Sequence, residues 1–403
     1  MNYLDGKVAE LQEELYVLYE AKTPDEMADL HPQFYAAMVR DGFYVDDDFD
    51  EVRIAEEGIR QALASKETLR VIVNPTMDCN LRCWYCYESH TQGGIATPEV
   101  VEAIKKYLAR ELADEEVKNL ELDFFGGEPL IGFKQVVQPI CDFAVERVRL
   151  LGKEVRVGFT TNAVLLTEEV TDYLASLGVS VAFQIPFDGG REMHNKTKRM
   201  SDGGDSYNIS MQHVKYALAK GMHVTLRCNY TLKNLTSFTS LLDDIEQIPD
   251  KHGLNVLWQR IWQETNSLEL QENVRKLQER SNKLTGQSEK SSSPYRIACY
   301  ADYDAEVIIN YNGNVSKCTA RDFKPSDRLG VLQPNGTILK NEKWYRRRER
   351  LIREECLHCK LLPICPECSQ RRSEMGSGGC THFKDSEQTA RALESYMLEA
   401  IQT

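Results

Sequence analysis

Between residues 69 and 262, apolar side chains recur along the chain with two different periods. Six short runs, 69–74, 120–125, 155–161, 179–187, 223–230 and 255–261, are rich in β-branched residues and alternate or run continuously apolar, as strands do. Between them, 98–112, 135–150, 168–177 and 211–220 repeat their apolar positions every three to four residues, which marks amphipathic helices. Alternation of this kind predicts an α/β fold with a parallel sheet. Six units predict a partial (β/α)6 barrel of the TIM type. Functional groups in such barrels gather at the C-terminal ends of the strands.

The strand periodicity also sorts side chains by face. In 155–162, Val155, Val157 and Phe159 share one face and Thr160 and Asn162 the other. In 179–188 the apolar set leaves Gln184 and Asp188 opposite, and in 223–230 Thr225, Arg227 and Asn229 oppose Val224, Leu226, Cys228 and Tyr230. Polar positions on otherwise buried strands point into a lumen. Outside this span the pattern changes. Residues 1–65 predict a small, acidic, mostly helical N-terminal domain, with negative charge densest at 46–51. The barrel is expected over 66–264, a polar connector containing a helix at 271–284 over 265–294, a turn-rich, cysteine-rich region over 295–385, and a closing helix in 386–403.

Composition narrows the possible functions. The 403 residues carry 49 Lys and Arg against 62 Asp and Glu, a formal net charge of −13, which disfavours nucleic acid as a partner. No uncharged apolar stretch of about 18 residues is present, so no membrane span is expected. The count of 12 cysteines is high. With no apolar signal core at its start, the chain is expected in the reducing cytoplasm, where clustered thiols hold metal more often than each other.

The first cluster is Cys79-x3-Cys83-x2-Cys86, directly after the first strand. Three thiols on one loop suit three corners of an iron–sulfur cubane with an open fourth iron. A tetrahedral zinc would need a fourth ligand, for which His90 is the local candidate. Two further CxxC pairs, Cys356/Cys359 and Cys365/Cys368, would suit a zinc ribbon in a non-catalytic interaction protein. However, Cys299, Cys318 and Cys380 join them to make seven thiols, too many for one zinc or one cubane.

Taken with Phe124-Phe125-Gly126-Gly127-Glu128-Pro129 at the end of the next strand, the first motif resembles that of the radical S-adenosylmethionine (SAM) superfamily. The resemblance implies that Cys79, Cys83 and Cys86 hold a [4Fe–4S] cluster whose open iron chelates SAM. It further implies that Gly126 and Gly127 approach the ligand closely, that Glu128 accepts from its ammonium with Pro129 completing the turn, and that the backbone of Tyr85 meets adenine. Thr161, Asn162, Gln184 and Asp188 match motifs lining the SAM pocket of peptide-modifying members, and Arg227 on the lumen face is expected to join them. Pro186 departs from the Ser or Thr of relatives. The second cysteine set resembles the seven-cysteine SPASM extension, which implies two auxiliary [4Fe–4S] clusters, three clusters in all. Cys356, Cys359, Cys365 and Cys380 would hold the distal one, and Cys299, Cys318 and Cys368 the proximal one. Two departures are a Cys365–Cys368 spacing one residue short and Ala305 where some relatives carry another cysteine. Cys141 and Cys228 are left as packing residues.

These likenesses imply a peptide maturase that crosslinks a ribosomally made precursor peptide, supplied with electrons by a flavodoxin or ferredoxin. Residues 1–65 would then suit leader-peptide recognition. The rival enzyme is a sulfatase maturase forming formylglycine, whose base directly follows the cysteine here numbered Cys318; this chain has Thr319 there and Asp322 further on. Peptide epimerisation requires a cysteine donor such as Cys228 to face the lumen. His194, Asn195 and Arg199 are expected on a solvated loop, and Lys343, Arg346, Arg347, Arg348, Arg350 and Arg353 on the exposed face of a helix.

Overall fold

The computed structural model describes residues 7, 9–90, 92–265, 267–287, 299–349, 352, 354–359, 361–362, 365, 368–374 and 393. It divides the chain into two compact units, one of residues 1–65, 290–304 and 345–403, the other of residues 66–289 and 305–344.

The first unit begins with four helices, α1 (Glu13–Ala21), α2 (Pro24–Leu30), α3 (Pro32–Arg40) and α4 (Glu51–Ala64). Thr23 and Glu26 form a reciprocal capping box on α2, and Asp50, from the acidic run, caps α4 by accepting from the Arg53 N–H. The apolar stripe of α4, Ala55, Ile59 and Leu63, packs with Leu362, Tyr303, Ile352 and Cys356. Residues 1–65 are therefore not the self-contained domain expected, because the inner face of α4 is covered by segments from much later in the chain. In the same unit Asp302 is buried and accepts from the Ser369 N–H at 3.0 Å and from the Arg347 guanidinium at 3.2 Å. Arg347 thus corrects the expectation of an exposed basic face: it is turned inward to a buried carboxylate. The expected closing helix lies outside the described residues apart from residue 393.

The second unit holds the sheet. Strands β1 (Thr68–Asn74), β2 (Asn119–Phe124), β3 (Glu154–Thr160), β4 (Ser180–Phe187), β5 (His223–Tyr230) and β6 (Leu254–Arg260) lie side by side in sequence order, every neighbouring pair parallel. Between them run α5 (Pro98–Glu111), α6 (Gln138–Leu151), α7 (Glu168–Ser176), a short α8 (Arg191–Thr197), α9 (Ser206–Ala219) and α10 (Phe238–Glu246). These are the six units of the partial barrel. The helix expected from residue 135 is present: a π-helical turn over Phe133–Val137 runs directly into α6 at Gln138. One face of the sheet is apolar and joins the core: Val71 and Val73, Leu122, Phe183 and Ile185, and Leu226 and Cys228. The rings of Phe124, Phe159 and Phe183 stack across β2, β3 and β4 at 5.1 and 5.4 Å. Cys141 and Cys228 are both buried in this core.

The helix expected in the connector is present as α11 (Leu268–Thr285), packed on the barrel through Leu270 and Val274 against Leu235, and tied to β6 by the Trp258 indole N–H donating to Ser281 at 3.0 Å. The region after it differs from expectation. Residues 305–344 extend the same sheet. β7 (Glu306–Asn310) pairs parallel with β1 on its free side, and β8 (Asn314–Ser316), β9 (Gly330–Leu332) and β10 (Ile338–Lys340) follow as an antiparallel meander. Val307, Ile309 and Val315 contribute to the barrel core, which is why this stretch belongs to the sheet rather than to a separate cysteine-rich domain. Among the described residues no helix is long and apolar enough to cross a membrane.

The opposite face of β7, β1, β2 and β3 carries charge. Arg70 lies between Glu121 and Glu306, and Arg156 lies 3.3 Å from Asp123. A side chain at Gly158 would collide with Asp123, so the residue there is glycine. Glu306 is 1% exposed, and burial pushes its carboxyl up to about 8 against the opposing pull of Arg70 and Lys317, with Asp123 adding to the rise. A carboxyl that holds its proton more tightly when folded loses stability as pH rises from its ordinary value near 4.5 through about 8. Glu306→Gln is therefore expected to flatten that fall, by up to roughly 4 kcal/mol at the alkaline end. Urea denaturation of both proteins at the two ends of this window checks it; parallel pH profiles would contradict the assignment.

Candidate active site

The loop after β1 carries the three thiols, and local bonds hold it. The Asp78 N–H donates to Thr76 Oγ1 at 2.9 Å, the Cys79 N–H to Asp78 Oδ1 at 2.8 Å, and the Cys86 N–H to the Cys83 carbonyl at 3.2 Å. The Arg82 guanidinium caps the carbonyls of Cys79 and Leu81. Leu81–Arg82 also pairs antiparallel with Arg199–Met200, joining the loop to the chain just after α8.

The turn after β2 is laced onto this loop. The Gly127 N–H donates to the Thr76 carbonyl at 3.2 Å and the Glu128 N–H to the Asp78 carbonyl at 2.8 Å. A Cβ on Gly126, whose φ is +104°, would fall 2.5 Å from the Thr76 oxygen, and one on Gly127 would fall 2.2 Å from the Asp78 oxygen. Only glycine permits that backbone contact. Glu128 is fully buried beneath it. One oxygen accepts from Thr161 Oγ1 at 2.7 Å and the Leu130 N–H at 3.1 Å, and the other from the Asn162 N–H at 2.8 Å. Burial pushes its carboxyl above the ordinary range while these donors oppose the rise. The turn after β3 thereby hangs from the turn after β2. Asn162 Nδ2 in turn donates to Asn80 Oδ1 at 2.8 Å and reaches Cys79 Sγ at 3.9 Å.

These elements wall one cavity at the C-terminal ends of the strands, enclosing about 960 Å³ of space, part of it open to solvent. Cys79, Cys83 and Cys86 line it together with Tyr85, Gly126, Gly127, Thr161, Asn162 and Arg227. The other expected cofactor positions do not line it. Glu128 supports the wall from below, Pro129 opens a single 3-10 turn, Gln184 is half-buried on β4, and Asp188 lies buried beside Lys198. Glu128 therefore spends its oxygens on the protein's own turns, where the resemblance had it accepting from a ligand ammonium. Cys228 faces the core and not the cavity, which removes it as a hydrogen donor.

Several contributors were missed. Lys198, Glu88, Trp262 and Gln263 also line the cavity, as does Asn229, which the strand periodicity turned toward the lumen. Trp262 and Gln263 lie just after β6, so the rule that sites gather at strand ends would have found them. Lys198 carried no such signal, because residues 191–197 form a helix and not the solvated loop expected. His194 is fully buried there between Phe187 and Tyr207. Asn195 accepts from Ser206 and the Tyr207 N–H, and Arg199 sits in the short ladder.

The donor set fits an iron–sulfur cluster with an organic ligand. Burial pushes the Cys79 thiol up to about 12, with the Glu128 charge adding to the rise, and burial also raises Cys86. Thiols in such surroundings give up their protons to a metal rather than to water. A cubane would take one thiolate per iron from Cys79, Cys83 and Cys86. Glu88 Oε1, His90 Nδ1 and Arg227 Nε line or edge the cavity buried and without a hydrogen-bond partner among the described residues, leaving polar positions for a ligand.

The second cysteine set is divided. Cys299, Cys356, Cys359, Cys365 and Cys368 belong to the first unit and Cys318 to the second. Cys299 and Cys368 share a hydrogen bond that pulls the Cys368 thiol down to about 6. The Cys359 N–H donates to the Cys356 carbonyl at 3.0 Å. Cys380 lies outside the described residues.

A parallel β/α sheet with a three-thiol loop at its strand ends, facing a cavity, is the arrangement of a partial-barrel fold with a candidate site for an iron–sulfur cluster. Residues 73–245 match the family model of the radical SAM superfamily. A match to this model implies SAM and a [4Fe–4S] cluster. Among curated relatives, the radical SAM cyclopropyl synthase TigE of Paramaledivibacter caminithermalis is 25% identical over 235 residues, 53% of this chain and 46% of the relative. The Fe-coproporphyrin III synthase of Methanosarcina barkeri is 26% identical over 194 residues, 45% of this chain and 42% of the relative. The chain thus spans about half the length of these two relatives. Among solved structures, anSMEcpe with bound AdoMet has a TM-score of 0.59 at 16% identity, covering 83% of this chain and 97% of that one. Streptococcus suis SuiB bound to precursor peptide SuiA has a TM-score of 0.55 at 15% identity, covering 94% and 93%. Both likenesses are of fold.

Proposed function

We propose that this protein is a radical SAM peptide maturase that installs an intramolecular thioether or carbon–carbon crosslink in a ribosomally made precursor peptide. The observation that carries the reading is the meeting of Cys79, Cys83 and Cys86 with Gly126, Gly127, Asn162 and Arg227 around one cavity at the strand ends. The three thiols would hold the cluster. When bound, cluster and SAM supply a 5′-deoxyadenosyl radical able to remove an unactivated hydrogen atom. The protein's part is orientation and exclusion of water. The Gly126-Gly127 turn packs directly on the thiol loop and brings both into one cavity wall, and Arg227 presents an unpaired N–H. Gln263 donates to the Tyr85 carbonyl at 3.0 Å and holds the aromatic that separates the last two thiols. A peptide substrate is supported by the similar folds of SuiB, solved with its precursor peptide SuiA, and anSMEcpe, solved with the Cp18Cys peptide. Cys299, Cys318 and Cys368, and Cys356, Cys359, Cys365 and Cys380, are proposed as ligands of two auxiliary [4Fe–4S] clusters, and a flavodoxin or ferredoxin as reductant.

The formylglycine reading is favoured by the fold likeness to anSMEcpe but lacks its base. Thr319 occupies that position and its carbonyl accepts from the Tyr87 hydroxyl at 2.6 Å. The Asp322 carboxylate is engaged by the Ser89 N–H and hydroxyl at 3.0 and 2.7 Å. Co-expression with the neighbouring short reading frame, followed by mass spectrometry of the peptide, tests the proposal. Loss of two hydrogen atoms is expected. An unchanged mass with solvent deuterium incorporated would replace it by epimerisation, and conversion of a thiol to an aldehyde by formylglycine formation.

A further inference from the structure

Lys198 is a buried cation of the cavity wall for which the mechanism above gives no task. Its side chain is 4% exposed, and Nζ lies 3.4 Å from Asp188 Oδ2, 3.3 Å from the Tyr85 hydroxyl and 3.7 Å from Cys83 Sγ. Its backbone is fixed on both sides. The Lys198 N–H donates to the His194 carbonyl at 2.7 Å, its carbonyl accepts from Ser206 Oγ at 2.8 Å, and the next two residues form the ladder with Leu81–Arg82 inside the thiol loop. Tyr85 is held in turn by Asn229 Nδ2 at 3.0 Å. An ammonium this deeply buried persists only beside compensating negative charge. Asp188, 1% exposed, is one such charge. The sulfur of Cys83, 3.7 Å from Nζ, would be a second such charge as a cluster thiolate.

We propose that Lys198, oriented by Asp188, donates to Cys83 Sγ and sets the reduction potential of the cluster held by Cys79, Cys83 and Cys86. The inference rests on the reading of these thiols as cluster ligands. Reduction adds one negative charge to the cluster, and a full positive charge with an N–H aimed at a ligand sulfur favours the reduced form. Asp188 does two opposed things. It positions the ammonium, and its own charge partly cancels the ammonium's effect. The Asn162 contact with Cys79 is the neutral and longer counterpart, at 3.9 Å. Lys198 is thus a positioning residue, acting on the site through a ligand sulfur.

The test is a spectroelectrochemical titration of the full chain, reconstituted anaerobically, reading the signal that disappears when Cys79, Cys83 and Cys86 are all changed to Ala. Lys198→Met should make that cluster about tenfold harder to reduce, about 59 mV for one electron, at unchanged iron content. Lys198→Arg should restore the wild-type potential. Asp188→Asn should move it the opposite way, toward easier reduction. An unmoved potential in Lys198→Met with full iron would overturn the proposal, as would shifts of the same sign in Lys198→Met and Asp188→Asn, the mark of a loosened loop. If Lys198→Met cannot hold iron, Asp188→Asn decides, and a potential equal to or below wild type there also overturns it. A wild-type protein whose signal survives in the triple cysteine variant refutes the cluster reading instead, so the two failures are distinguishable.

Discussion

Changing Cys79, Cys83 and Cys86 together to alanine is expected to remove about four irons per chain and abolish 5′-deoxyadenosine formation. The three thiols sit on one loop whose own backbone bonds and Arg82 clamp preset its shape, so the fold should survive the change while the site does not. The effect is all or none because the thiols are the only cysteines lining the cavity among the described residues. Iron and sulfide analysis with chromatography of the SAM cleavage products gives both readouts. Full iron retention, or continued SAM cleavage, would refute the assignment. Abundant zinc in the wild-type protein, with no iron–sulfur absorption, would refute the enzyme reading altogether.

Glu128→Ala should cost stability and ligand binding together. Three donors converge on its carboxylate, and removing it strands the N–H groups of Leu130 and Asn162 and the Thr161 hydroxyl in a buried site. At roughly 1–3 kcal/mol for each buried group left unsatisfied, a total of order 4 kcal/mol is expected. The turn after β3 would loosen, and Asn162 with it, so SAM affinity should fall at least tenfold, about 1.4 kcal/mol. Denaturation midpoints and equilibrium dialysis with SAM check the pair. A variant that lost affinity at wild-type stability would return Glu128 to the ligand-contacting role implied by the family resemblance.

Where sequence and structure agree, the cause is local. The six barrel strands were legible to within a residue or so at each end because β-branched alternation is a strong signal when each strand is followed by an amphipathic helix. The three thiols and the Gly126-Gly127 turn were legible because their spacing is short-range. Features set by long-range packing were not. Lys198 lies in a stretch with the composition of a solvated loop, and only the burial of His194 between Phe187 and Tyr207 turns it inward. Arg347 reads as one of a run of surface cations until Asp302 is placed beside it. β7 to β10 are five residues or fewer each, interrupted by turns, and are strands because β1 offers a free edge. Glu128 was identified from its motif, but nothing in that motif announces Thr161 and Asn162 as its partners in the fold.

The interleaving of the two units carries a consequence for biosynthesis. The six parallel strands and their helices are contiguous in the chain, so most of the barrel can assemble while the remainder is still being made. The unit containing α4 cannot. Its inner face waits for Tyr303 and then for Leu362, some three hundred residues after Ala55 has emerged. During that interval Ala55, Ile59 and Leu63 are uncovered on a nascent chain, a stretch that a chaperone or an early misfolded contact would find first. Cutting the chain before Tyr303 would therefore leave a sticky amino-terminal helix whose apolar face has no cover.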